Sequence, residues 1–230
     1  MVRMSGKNGA KLKRFGTILI DPPWRFTNRT GKMAPEHRRL HRYATMSTDE
    51  IASLPISEYA LAQSHLYLWC PNALVQDGLR LLAAWGFTYK TNIVWLKVRK
   101  DGGPDGRGVG FYFRNVTELV LFGVRGRLRT LAPGRRQVNV IMSRKEEHSK
   151  KPDELYDIIE ECSPGPFLEL FARHRRKGWK QLGDQLDSYK DTRPLYLPYN
   201  GFTHPGRNNR TRSRPPEADS PRTHLPLFSV

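Results

Sequence analysis

Thr17-Ile18-Leu19-Ile20-Asp21-Pro22-Pro23-Trp24 decides the fold: a short apolar run halts on an acid, two prolines and a tryptophan. A continuous apolar run predicts a strand buried on both faces of a parallel sheet. Proline has no N–H for the ladder and a fixed φ, so the strand must end in a rigid turn. Asp21 is thereby placed at a strand's carboxyl end.

Working outward, the residues alternate between strand and helix signals. Ser47-Thr48-Asp49-Glu50 has capping-box spacing and predicts a short helix through Leu54, stopped by Pro55. His65 to Cys70 reads as the next strand. Asn72 is expected to cap a helix carrying Leu74, Val75, Leu79, Leu82 and Ala83 at helical spacing, ended by Gly86. Asn92 to Lys97 and Thr117 to Gly123 supply two more strands around a glycine-rich loop, and Val138 to Met142 a shorter one. Pro152-Asp153-Glu154 opens a helix with a stripe of Leu155, Ile158 and Ile159, closed by Ser163-Pro164-Gly165-Pro166. Phe167 to Ala172 is apolar on both faces except for Glu169, as a central parallel strand would be. The alternation predicts an α/β sheet of Rossmann-like type, mainly parallel, with helices on both faces.

The chain of 230 residues suits one sizeable core. The expected organisation is a flexible basic lead-in over 1–14, one catalytic domain over 15–188 and a basic tail over 189–230 without apolar periodicity. The lead-in has no apolar h-region of a secretory signal. Cys70 and Cys162 stand alone, without the companions of a zinc site, a cluster or a disulfide framework, which fits a reducing cytoplasm. A formal charge of +17 favours a polyanion, with nucleic acid as the first candidate. A membrane is excluded as a partner because no apolar run approaches the roughly 20 residues of a spanning helix.

The tetrapeptide Asp21-Pro22-Pro23-Trp24 carries the chemistry. From average composition it arises by chance in about one chain in a few thousand of this length, which argues against a mere strand-ending turn. An exocyclic amine such as N6 of adenine is a poor nucleophile because its lone pair is delocalised into the ring. Hydrogen-bond acceptors let it pyramidalise, and no metal is needed. Asp21 can accept one N–H, the carbonyl of Pro22 in its rigid turn the other, and Trp24 is expected to stack on an extruded base.

These residues resemble the adenine N6-methyltransferase family typified by the catalytic subunit of the eukaryotic messenger-RNA methyltransferase. The likeness continues through Tyr43-Ala44-Thr45-Met46-Ser47, Leu66-Tyr67-Leu68-Trp69, Asn115 to Gly126, His148 to Glu154, Ser163-Pro164-Gly165, Glu169 to Arg173 and Gly183-Asp184-Gln185-Leu186. It implies S-adenosyl-L-methionine (SAM) as methyl donor and a permuted motif order, catalytic motif N-terminal and most cofactor elements C-terminal. In family terms Lys151 lies near the methyl-transfer centre, Glu169 and Arg173 hold the ribose hydroxyls, and Asp184 and Gln185 lie by the cofactor's adenine. The resemblance also implies that Tyr43 and Glu118 contact the target base. Independently, a carboxylate at a parallel strand's end, as at Glu169, suits a ribose diol. The sequence departs from the family at Asp184, a carboxylate where an amide is usual, and at His174-Arg175-Arg176-Lys177, to which no role is carried over.

Arg25, Arg29, Lys32, Arg38, Arg39 and Arg42 crowd the loop after the motif. Arg25, Arg38 and Arg39 are the expected phosphate contacts, positioning the strand rather than reading bases. DNA is the expected polymer by analogy with compact family members, and RNA the alternative. A catalytically silent nucleic-acid-binding partner of an active subunit is the reading from another class. Monomer and homodimer are both open.

Overall fold

The computed structural model describes residues 13–26, 45–105, 112–132, 134–144, 150–183 and 186. Within them the strands are β1 (Phe15–Ile20), β2 (Ala60–Cys70), β3 (Thr88–Val98), β4 (Thr117–Arg125), β5 (Val140–Arg144), β6 (Phe167–Leu170) and β7 (Trp179–Leu182). The helices are α1 (Thr48–Ala52), α2 (Ile56–Tyr59), α3 (Val75–Ala84) and α4 (Glu154–Cys162). The strands form one sheet in the order β5-β3-β4-β2-β1-β6-β7. Only β4 runs antiparallel to its neighbours, β2 and β3. The other four pairings are parallel, so the α/β Rossmann-like architecture, mainly parallel, stands.

β1 is buried along its whole length between β2 and β6. Side chains alternate across the pleat, and the two halves of the core follow that period of two. Ile18, Ile20, Leu66, Leu68, Cys70, Leu121 and Leu168 face α1, α2 and α3, while Leu19, Tyr67, Trp69, Val120, Phe122 and Val124 face α4. Helices therefore cover both faces.

Local signals hold where their chemistry is complete. Ser47 and Glu50 form the capping box of α1: Ser47 N–H donates to Glu50 Oε2 at 2.6 Å, and Glu50 N–H to Ser47 Oγ at 3.3 Å. Gly86 ends α3 at φ 78°, a conformation that a side chain would oppose. Asn72 does not cap α3: it opens a 3-10 turn, and its Nδ2 donates to Thr117 O at 3.1 Å and Thr117 Oγ1 at 3.0 Å. A cross-strand acceptor outcompetes the local cap. β7 and α2 are too short to have given a periodic signal. No helix of the described residues is long and apolar enough to cross a membrane.

The segment after α4 locks onto β1. Thr17 Oγ1 donates to Pro164 O at 2.7 Å, and Gly16 N–H to Pro166 O at 3.0 Å. A Cβ at Gly16 would meet the carbonyl oxygens of Pro164 and Gly165, both at 2.6 Å. This close approach seats β6 beside β1, although Phe167 follows Phe15 by most of the domain.

Candidate active site

The carboxyl ends of β1, β2, β3 and β6 and the start of antiparallel β4 meet at one edge of the sheet. The pleat also decides which polar residues share a face. Asp21 is in phase with Leu19, Glu118 with Val120, Lys97 with Trp95, and Glu169 out of phase with Leu168, so all four stand on the α4 side. Lys151, just before α4, completes the group.

Lys151 Nζ lies 2.7 Å from Glu118 Oε2 and 3.6 Å from Asp21 Oδ1, over the Trp69 ring at 4.7 Å. Lys97 Nζ reaches Glu118 Oε1 at 2.5 Å and sits 4.8 Å from the Trp95 ring centroid. Trp95 is the residue directly opposite Glu118 on β3, which puts Lys97 on the diagonal, within reach of a long side chain. The result is a chain of alternating charge, Asp21, Lys151, Glu118, Lys97, braced by two tryptophans.

Burial pushes the Asp21 carboxyl up, against the pull of Lys151 and Arg173, and it ends above the ordinary aspartate value. Burial would also raise Glu118, but two ammonium groups outweigh it and hold that carboxyl at about 2. For Lys151 the order is similar: burial opposes the charge, and the carboxylates of Asp21 and Glu118 overcome it, leaving the ammonium above its usual range. Glu118 and Lys151 are therefore charged at neutral pH.

The motif's backbone is pinned. Trp24 N–H donates to Pro22 O at 2.8 Å, and Met46 N–H to Pro23 O at 2.8 Å. The Pro22 carbonyl retains a second lone pair for an incoming donor. Trp24 corrects the expectation of a stacking face. Its side chain is 6% exposed, packed on the α1 to α3 side of the sheet, with Nε1 donating to Trp69 O at 3.0 Å. Two prolines turn the chain so that residue 24 falls on the face opposite Asp21, and an indole buried there anchors the turn rather than a base.

On the neighbouring strand Glu169 is buried, with Oε1 accepting from Tyr156 Oη at 2.7 Å and Oε2 from Gln181 Nε2 at 2.6 Å. Arg176 stacks 3.9 Å from the Tyr156 ring centroid and reaches Asp153 at 2.7 Å. Burial raises the Glu169 carboxyl despite those two donors. Each oxygen keeps a lone pair beyond its present bond, so the carboxylate fits a ribose diol. Arg173, three residues past the end of the same strand, is close enough to act electrostatically on both Asp21 and Lys151.

Of the expected substrate contacts, Arg25 is half exposed, donating to Thr45 O at 3.0 Å and 3.5 Å from Glu50. Tyr43, Arg38, Arg39, Asp184 and Gln185 lie outside the described residues. Sequence reasoning missed Lys97, Trp69, Tyr156 and Gln181. Lys97 looks like an ordinary strand-end lysine, and Tyr156 sits off the apolar stripe of α4. Only the partner across space gives each a role.

The profile of the MT-A70 family matches residues 15–185. The N(6)-adenosine-methyltransferase MT-A70-like protein of Drosophila melanogaster is 32% identical over 184 residues, covering 78% of this chain and 28% of that protein. The human N(6)-adenosine-methyltransferase catalytic subunit METTL3 is 31% identical over 180 residues, covering 76% of this chain and 29% of the subunit. The Drosophila non-catalytic subunit METTL14 is 28% identical over 201 residues, 81% of this chain and 50% of that protein. The chain thus spans about a quarter to a half of the length of these relatives.

Proposed function

The chain belongs to the MT-A70 family, and from that premise we propose that residues 15–188 form a catalytic domain transferring a methyl group from SAM to the N6 amine of adenine in a nucleic acid, with DNA as the polymer. The observation that carries this reading is the convergence of Asp21, Lys151 and Glu118 at the sheet edge beside the strand of Glu169. SAM, when bound, supplies an electrophilic methyl. Glu169 and Arg173 hold its ribose, with Asp184 and Gln185 toward its adenine. Asp21 and the Pro22 carbonyl each accept one N–H of the target amine, which frees its lone pair. Lys151 pulls the Asp21 carboxyl toward its ionised form, against the opposing effect of burial. Tyr43 and Glu118 line the base, and Arg25, Arg38 and Arg39 take flanking phosphates. The site works in a reducing cytoplasm, where the unpaired Cys70 and Cys162 stay thiols.

Labelled SAM incubated with equal masses of duplex DNA, single-stranded DNA and RNA tests this. Label is expected in DNA, and Asp21→Asn is expected to cut the rate by about 10²–10⁴-fold, the range for a positioned proton-handling group. The relatives' descriptions as adenosine-methyltransferases favour RNA as the second reading, and label in RNA alone would replace DNA with it. The match to a non-catalytic subunit favours the silent-partner reading. A purified chain that binds nucleic acid but transfers no label would establish that one, and methylation unaffected by Asp21→Ala would overturn the catalytic assignment of Asp21.

A further inference from the structure

Tyr112 and Phe113 are 93% and 86% exposed, by far the most exposed large apolar side chains of the described residues. Two aromatic side chains adjacent in sequence and both left in water are unusual on a folded surface, and exposed apolar area of this kind points to a binding role. Their position is specific. They lie in the connection from β3 to β4, whose two ends are fixed at the candidate site: Lys97 N–H donates to Val116 O at 2.8 Å, and Asn72 Nδ2 to Thr117 O at 3.1 Å. Tyr112 is six residues before Glu118, so the pair stands within about 20 Å of that carboxylate even if the chain is fully extended. Arg114 follows at once, on a chain of net charge +17.

We propose that Tyr112 and Phe113 are a stacking platform for unpaired bases flanking the target adenine, so that the preferred substrate is single-stranded or locally opened. This rests on the nucleic-acid reading above and extends it to the substrate's form. Bases offer flat π faces of any sequence, aromatic side chains bind them without reading them, and neighbouring cations hold the backbone. In an intact duplex the faces are stacked on one another, so the platform discriminates against it.

The experiment compares the intact chain with Tyr112→Ala/Phe113→Ala by fluorescence anisotropy, using a labelled adenine-containing DNA oligonucleotide, single-stranded or annealed to its complement. Loss of two stacking contacts is expected to weaken single-strand binding by about 30-fold or more. Duplex affinity and Tm stay unchanged, and Tyr112→Phe/Phe113→Tyr retains the binding. Unaltered single-strand affinity in the alanine variant overturns the proposal. So does a wild-type dimer that becomes monomeric in the variant on light scattering, because the rings would then cover a second copy. Binding needs no turnover, so the two readings fail separately. A wild type that binds through the rings yet methylates nothing removes the enzyme reading alone. One that methylates but ignores the substitution removes the platform alone.

Discussion

Lys151 Nζ lies 2.7 Å from Glu118 Oε2 and 3.6 Å from Asp21 Oδ1, so one ammonium bridges carboxylates carried by two different strands. Neither carboxylate touches an equivalent cation elsewhere on its own strand. The bridge is therefore a tertiary device, and its removal has two separable consequences.

Lys151→Met leaves Asp21 and Glu118 sharing a partly buried site with less positive charge. The Asp21 carboxyl then climbs further, and the acid limb of the pH-rate profile moves to higher pH, since the acceptor must be ionised. Stability at neutral pH falls by about 1–3 kcal/mol, below the range for a fully buried pair because these side chains keep some solvent. Adding Glu118→Gln recovers part of that loss, a coupling that a double-mutant cycle in denaturant measures. Strict additivity, or an acid limb that does not move, contradicts the bridge.

His65 governs acid stability. Its ring is fully buried, with Nδ1 2.8 Å from Ser163 Oγ, which also meets Tyr67 Oη at 2.7 Å. Burial lowers its pKa from 6.5 to about 4. The unfolded chain then binds more protons than the folded one within that window. The stabilising contribution is complete above pH 6.5 and is lost as pH falls toward 4. The full loss is about 3 kcal/mol. Tm recorded from neutral to acid pH is expected to drop through this window, with a shallower slope for His65→Gln. An identical slope in the variant assigns the acid transition elsewhere.

Trp24 tests its own corrected role. Trp24→Phe keeps an aromatic ring but removes the N–H given to Trp69 O, which costs about 1–3 kcal/mol for a buried acceptor left unmet. Stability should fall while KM for the nucleic acid holds. A raised KM with unchanged Tm would return Trp24 to the base.

Glu169 tests the cofactor pocket without turnover. SAM at about 100 times its Kd stabilises the native state by about 2.7 kcal/mol, a rise in Tm of about 5–10 °C for a domain of this size. Glu169→Ala is expected to lose most of that rise. A full SAM shift in the variant would move the ribose site away from β6.

Much of this was legible in one dimension. The apolar run before Asp21, the capping box at Ser47 and Glu50, and the lone acid in Phe167 to Ala172 each state their outcome through local chemistry: a buried strand, a helix start, a polar group held at a strand end. The family motifs located the same residues. The pieces that escaped are those without a local signal. A strand as short as Trp179–Leu182 has no measurable period. Asn72 has two competing partners, and only the packed structure brings Thr117 near enough to win.

The sequence by itself determined that Asp21 ends a buried strand, because prolines cannot extend a ladder, and that Glu169 sits in an apolar one, because its neighbours allow nothing else. Which face each side chain takes, and which strand lies beside which, was decided only by the tertiary structure. The pleat's period of two and the sheet order put Asp21, Glu118, Lys97 and Glu169 on one side and Trp24 on the other. Those relations depend on register between segments far apart in the chain, and register is a property of the packed sheet rather than of any stretch of residues.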